Sequence, residues 1–177
     1  MSSPIVAKPR NGSVMAGNTF HAMADSNQPP SLAVSDVHQA LIDESAGLAF
    51  LRDAEVTDVL CYHRDGTGGH DYLMLSIRLG QGAIVLARAE RVPSTQERGI
   101  IGIVLKGSAA WDNIKFSYYP SAIRGPGDIP IMMLRCHNVK FVHCTQLFSI
   151  IHGHSQEYHA KSFNCWWFAA ALVLCVI

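Results

Sequence analysis

The amino-acid sequence predicts a single α+β domain in which an antiparallel sheet packs on helices. Three observations carry that expectation. The chain has 177 residues and 49% apolar content, enough for one sizeable core but short of two full domains. Between residues 56 and 91, three β-branched and apolar runs are joined by glycine turns, and connections that tight make neighbouring strands pair antiparallel. Residues 163–177 are apolar apart from Asn164 and read as a buried helix. No repeat occurs at a solenoid or propeller period, and the order helix, strands, irregular segment, terminal helix is that of an α+β chain.

Taken in order, residues 1–33 mix Ser, Asn, Gly, Ala and Pro without sustained periodicity and end in Asn27-Gln28-Pro29-Pro30-Ser31. This composition predicts a flexible N-terminal arm ahead of a domain spanning 34–177. Ser35 or Asp36 is placed to cap a helix running through Val37, Leu41 and Ile42, with Asp43 and Glu44 on its polar face and Gly47 as a weak point. Strands follow at 56–62, 71–79 and 83–91, separated by Arg64-Asp65-Gly66-Thr67-Gly68-Gly69 and by Gly80-Gln81-Gly82. After a polar loop, residues 100–105 suit a fourth strand. Residues 106–130, rich in glycine, proline and aromatics, predict an irregular excursion of the kind that walls a cleft. Residues 131–151 are apolar with interspersed Cys and His and fit strand or helix, and His152-Gly153-His154-Ser155 turns the chain toward the last helix.

Composition narrows the function classes. Lys plus Arg and Asp plus Glu both total 14, with no basic run longer than two residues, so the electrostatic footprint of a nucleic-acid binder is missing. The five cysteines, at 61, 136, 144, 165 and 175, show no paired spacing, and the N-terminus has no apolar leader core. A reducing, cytoplasmic setting is therefore expected. The 15 residues 163–177 fall short of the roughly 20 needed to cross a bilayer, which predicts a core helix and no transmembrane anchor. The ending Cys175-Val176-Ile177 has no polar cap and reads as a truncated gene product.

The chemistry concentrates at the last helix. Asn164-Cys165 lies where a loop meets an apolar helix, a place where backbone N–H groups and the helix dipole stabilise a thiolate. Asn164 is a good N-cap, and Trp166, Trp167, Phe168 and Leu172 supply anchors for the helix. Trp166 and Trp167 point about 100° apart on a helix, so one is expected in the core and the other toward the cleft. A thiolate needs a base, and imidazole suits that work near neutral pH. Of nine histidines, His70 is singled out because it opens a strand directly after a glycine-rich turn.

These residues resemble a family of cysteine enzymes with a circularly permuted papain-like fold, the lecithin:retinol acyltransferase-like and NlpC-like proteins. In that family a histidine strand precedes the cysteine helix. The family's Asn-Cys motif, with Phe three residues after the cysteine, is matched by Asn164-Cys165-Trp166-Trp167-Phe168. Its histidine strand is similar to His70-Asp71-Tyr72-Leu73-Met74-Leu75, followed by Ile84-Val85-Leu86-Ala87-Arg88. Residues 158–169 also resemble a signature of uncharacterised fungal proteins. The likeness covers roughly residues 56–92 and 158–175. Relatives carry a histidine or other polar residue on the next strand to orient the base; this strand has no histidine, and Arg88 and Glu90 are its polar candidates.

The resemblance implies a thiol hydrolase or acyltransferase acting on a small-molecule, peptide or acyl-lipid substrate, without cofactor or metal. Cys165 would be the nucleophile, His70 the base and Glu90 the orienting carboxylate, with Asn164 and Trp166 beside the substrate or oxyanion. Two alternatives stand beside it. One is a non-catalytic binding or scaffold relative of the same fold. The other is a small zinc module built from Cys136, His137, His143, Cys144, His152 and His154, a set of soft sulfur and imidazole ligands in a short span.

Overall fold

The computed structural model describes residues 13–43, 47–64, 69–80, 82–94, 107–159 and 164–176. In chain order the elements are α1 (Ser13–Ala24), β1 (Leu32–Ala33), α2 (Val34–Ile42), a 3₁₀ turn (Ala49–Leu51), β2 (Glu55–Arg64), β3 (His70–Arg78) and β4 (Ile84–Pro93). There follow β5 (Ser108–Ser117), a one-turn helix α3 (Pro120–Ile123), β6 (Asp128–Lys140), α4 (Phe141–His154), β7 (Glu157–Tyr158) and α5 (Cys165–Val176). The fold is α+β: a seven-stranded antiparallel sheet of order β1-β5-β4-β3-β2-β6, with β7 on β5, packed against helices.

The β2–β3–β4 meander follows from its turns and its alternation. Between β3 and β4, Leu79 N–H donates to Ala83 C=O and Gly82 N–H to Leu79 C=O, both at 2.8 Å. Gly82 sits at φ 85°, a left-handed conformation that glycine adopts without a Cβ penalty. Along β3, Leu73, Leu75 and Ile77 enter the main core, and Tyr72 and Met74 enter a smaller cluster with Tyr62 and Ile123 on the other face. A central strand covered on both faces reads as a continuous apolar run.

The main core gathers Leu41, Leu51, Phe116, Phe141, Phe148 and Phe168, all almost fully buried. Burying each such side chain contributes about 1.5–3 kcal/mol. Helix α5 lies over β3 and β4 and meets α4, with the Phe148 and Phe168 rings 6.1 Å apart.

Four features differ from expectation. Residues 13–33, placed in the flexible arm, carry α1 and β1; Phe20 is 2% exposed and meets the Phe116 ring edge-on at 5.3 Å. That aromatic contact offsets the ordering of a segment whose own periodicity is weak. Helix α2 starts two or three residues early, with extended Ala33 at the N-cap, and neither Ser35 nor Asp36 caps it. The irregular excursion at 106–130 contains β5, paired with β4 from Leu86↔Ser117 to Pro93↔Ala110. Its polar residues Asp112 and Asn113 obscured the strand pattern, yet both are buried, Asp112 against Arg91. The ambiguous segment 131–151 is strand and then helix, because the chain leaves β6 at extended Lys140 and enters α4 at Phe141. The strand expected at 100–105 lies outside the described residues. Among the described residues, no helix is long and apolar enough to cross a membrane.

Candidate functional site

Cys165 is the first residue of α5. The Asn164 side-chain oxygen accepts the Trp167 N–H at 3.0 Å, and the Asn164 carbonyl accepts the Phe168 N–H at 3.1 Å. This closes the first turn and leaves Cys165 at the positive end of the helix dipole. The N-cap thus engages the Asn164 side-chain oxygen within the helix itself. Trp166, on the same turn, is 63% exposed. Trp167 turns inward, its ring 5.2 Å from the Arg91 guanidinium and stacked on His154.

The β3–β4 register runs from Leu73↔Ala89 to Arg78↔Ile84. Beyond it, where β3 begins, the Asp71 N–H donates to Cys165 Sγ at 3.5 Å. The sulfur takes a ladder donor at the splayed end of two strands. His70, one residue earlier, pairs across β2 with Arg64. Its Nε2 stands 2.8 Å from Glu90 Oε2, and the imidazole is close enough to the Cys165 sulfur for each to shift the other's titration. With Nε2 on the carboxylate, Nδ1 is the nitrogen left for sulfur. Residues 95 positions apart, His70 and Cys165, are brought together with Glu90 across three elements.

Charges in this group reinforce one another. Burial pushes the Cys165 thiol up, but the His70 hydrogen bond, the Asp71 N–H and the imidazolium charge outweigh it and hold the thiol below its ordinary value. Burial disfavours charge on His70, yet its bonds to Cys165 and Glu90 raise it to about 9. Glu90, despite its burial, is held at about 2 by His70, Arg88 and Lys115. The other cysteines move the opposite way: burial pushes Cys61 up to about 11, Cys144 up to about 12, and Cys136 upward. Among the described cysteine side chains, Cys165 alone has its thiol shifted downward, the direction that favours the thiolate.

Two features were missed from sequence. Tyr158, on β7, acts on Cys165 through the sulfur and the backbone N–H, and burial together with the sulfur raises its phenol to about 12. The one sequence signal for it was its place at the start of the 158–169 signature. Behind the helix, fully buried Arg91 donates to both Asp112 oxygens at 2.7 and 2.6 Å and to the Ser155 carbonyl at 2.9 Å. His152 holds the same carboxylate at 2.8 Å. Breaking such a buried pair leaves an uncompensated charge, so this cluster fixes the seat of α5 on β4, β5 and α4.

The ligand set considered for zinc does not converge. Cys136 is buried on β6 and Cys144 on α4, while His137 and His143 are exposed. Among the described residues, no three His, Cys, Asp or Glu side chains are grouped to hold a metal ion. Compared with family models, with curated proteins and with solved structures, the chain matches none.

Proposed function

We propose that the protein is a cysteine-dependent hydrolase or acyltransferase of permuted papain-like order, with Cys165 as nucleophile, His70 as base and Glu90 as orienting carboxylate. The observation that carries this reading is the joint arrangement of the site: one imidazole bonded to Glu90 and acting on a sulfur at a helix N-terminus, where the Asp71 N–H also reaches that sulfur. A merely packed cysteine needs neither partner. The base-bearing strand precedes the cysteine helix in the chain, as the permuted order requires.

In the reaction, the Cys165 thiolate attacks the carbonyl carbon of an amide, ester or acyl-lipid, and a C–S bond forms as the carbonyl electrons move to oxygen. The Cys165 N–H at the start of the helix gives up the Tyr158 oxygen and donates to that oxyanion instead. His70 passes its Nδ1 proton to the leaving nitrogen or oxygen as the bond to carbon breaks, which leaves a thioester. Water or an acceptor hydroxyl or amine then gives its proton to His70 and attacks the thioester, returning Cys165 as leaving group. Glu90 accepts from Nε2 throughout and balances the imidazolium. Exposed Trp166 offers an aromatic face to the substrate beside the sulfur. The cytoplasm expected from the cysteine usage is where such a thiol stays reduced.

The test is selective labelling. Iodoacetamide applied to the folded protein at neutral pH should modify Cys165 well before Cys61, Cys136 or Cys144, as read by peptide mass spectrometry. Modification of Cys165 no faster than the other three would favour a binding scaffold.

A further inference from the structure

One oxygen of Glu90 receives two donors. Glu90 Oε2 takes Arg88 Nη2 at 2.5 Å and His70 Nε2 at 2.8 Å. Arg88 and Glu90 are two apart on β4 and share a sheet face. Arg88 is buried and fixed by two further contacts. Its Nη1 donates to the Ile123 carbonyl of α3 at 2.9 Å, and its guanidinium carbon lies 3.8 Å above the Tyr72 ring centroid. Tyr72 is anchored in turn by its hydroxyl, which donates to Asp128 at 2.6 Å, and its ring also stacks with His70 at 6.3 Å. The guanidinium, the phenol ring and the imidazole form one packed group around a single carboxylate oxygen.

We infer that Arg88 is a positioning residue for the His70 base, acting through Glu90 to fix which imidazole nitrogen faces the sulfur. A guanidinium only donates, so the oxygen it binds stays an acceptor. His70 must then carry hydrogen on Nε2, which leaves Nδ1 to exchange a proton with Cys165. Lys115 on β5, another cation near Glu90, lies 3.5 Å from Oε1 and is partly exposed, and Arg64 of β2, held by Asp128, acts on Glu90 through space. The Lys115 contact is to the oxygen that Arg88 and His70 do not share. Among the other titratable groups, Tyr72 of β3 stacks on the imidazole, while Cys165 of α5, Asp71 of β3, Tyr158 of β7 and Cys61 of β2 lie on the sulfur side. Without Arg88, the carboxyl group is free to turn or take a proton, and either histidine tautomer becomes permissible.

This inference deepens the proposed reading, and its test separates the two. Nitrogen-15 NMR of His70 in the full-length C165A variant reads the tautomer whether or not Cys165 is a nucleophile. Read at a pH above the imidazole's own titration, where the ring is neutral, a single Nε2–H tautomer is expected there, a mixture in C165A/R88M, and restoration of the Nε2–H form in C165A/R88K. In the Cys165-containing protein, R88M should slow iodoacetamide labelling of Cys165 about ten-fold, the effect of one pH unit of altered ionisation. In the E90Q background it should slow labelling no further, because Arg88 acts through Glu90. Should R88M not fold by circular dichroism, R88Q, which retains a donor without the charge, takes its place. Persistence of the single tautomer without Arg88, or losses that multiply in the double variant, would overturn the inference.

Discussion

Replacing His70 by alanine removes the hydrogen bond and the charge that lower the Cys165 thiol, and Cys61 shows what a thiol in this fold does without them. Both residues are 6% exposed. Cys61 stands at about 11, so at pH 7 its ionised fraction is about 10⁻⁴. In H70A, Cys165 keeps the Asp71 N–H and the helix terminus, each contributing about 0.5–1 kcal/mol to the thiolate. It should therefore settle between its present state and that of Cys61. Losing one hydrogen bond to a charged group, about 1.5–3 kcal/mol, should slow the iodoacetamide rate at pH 7 about 10- to 100-fold. Rates would be measured from pH 5 to 9, with peptide mass spectrometry assigning the site and circular dichroism confirming the fold. The pH midpoint of the wild-type rate should lie below that of H70A, because the imidazole lowers the thiol. A loss below about three-fold with an unmoved pH midpoint would refute the claim that His70 sets the ionisation of Cys165.

Acid stability offers a second check. Glu90 is depressed from 4.5 to about 2, so its contribution is present above pH 4.5 and is lost as pH falls through 2. Between pH 6 and 3 this amounts to about 2 kcal/mol. Urea unfolding should show that loss in wild type and not in E90Q; parallel slopes would contradict it. Asn164→Ala removes the bond to the Trp167 N–H and should lower unfolding stability by about 1 kcal/mol, with slower Cys165 labelling as the first turn frays. Unchanged urea midpoints would show that the cap does not hold the helix.

Local patterning made most of the meander legible. Tight glycine turns and apolar runs placed β2, β3 and β4 to within a residue or two, because a hairpin is a short-range object. The terminal helix was legible for the same reason, its Asn164 cap and apolar run both being local. Strand β5 was not, since Asp112 and Asn113 read as loop residues until Arg91 and the Glu90 carbonyl supply their partners. Helix α1 was missed because its burial depends on Phe116, a residue far along the chain.

The candidate site divides along the same line. Chemistry by residue type, an Asn-Cys helix start, a histidine opening a strand and a glutamate on the next, is written in the sequence alone. Convergence is not, because His70 reaches Cys165 only once α5 lies across the splayed ends of β3 and β4. Tyr158 and Arg91 enter by the same route, through pairing of β7 with β5 and the ion pair behind α5. Hydrogen bonds and ion pairs act over a few ångströms of space, whatever the separation along the chain. The sequence therefore determined which groups were available, and tertiary packing decided which of them meet.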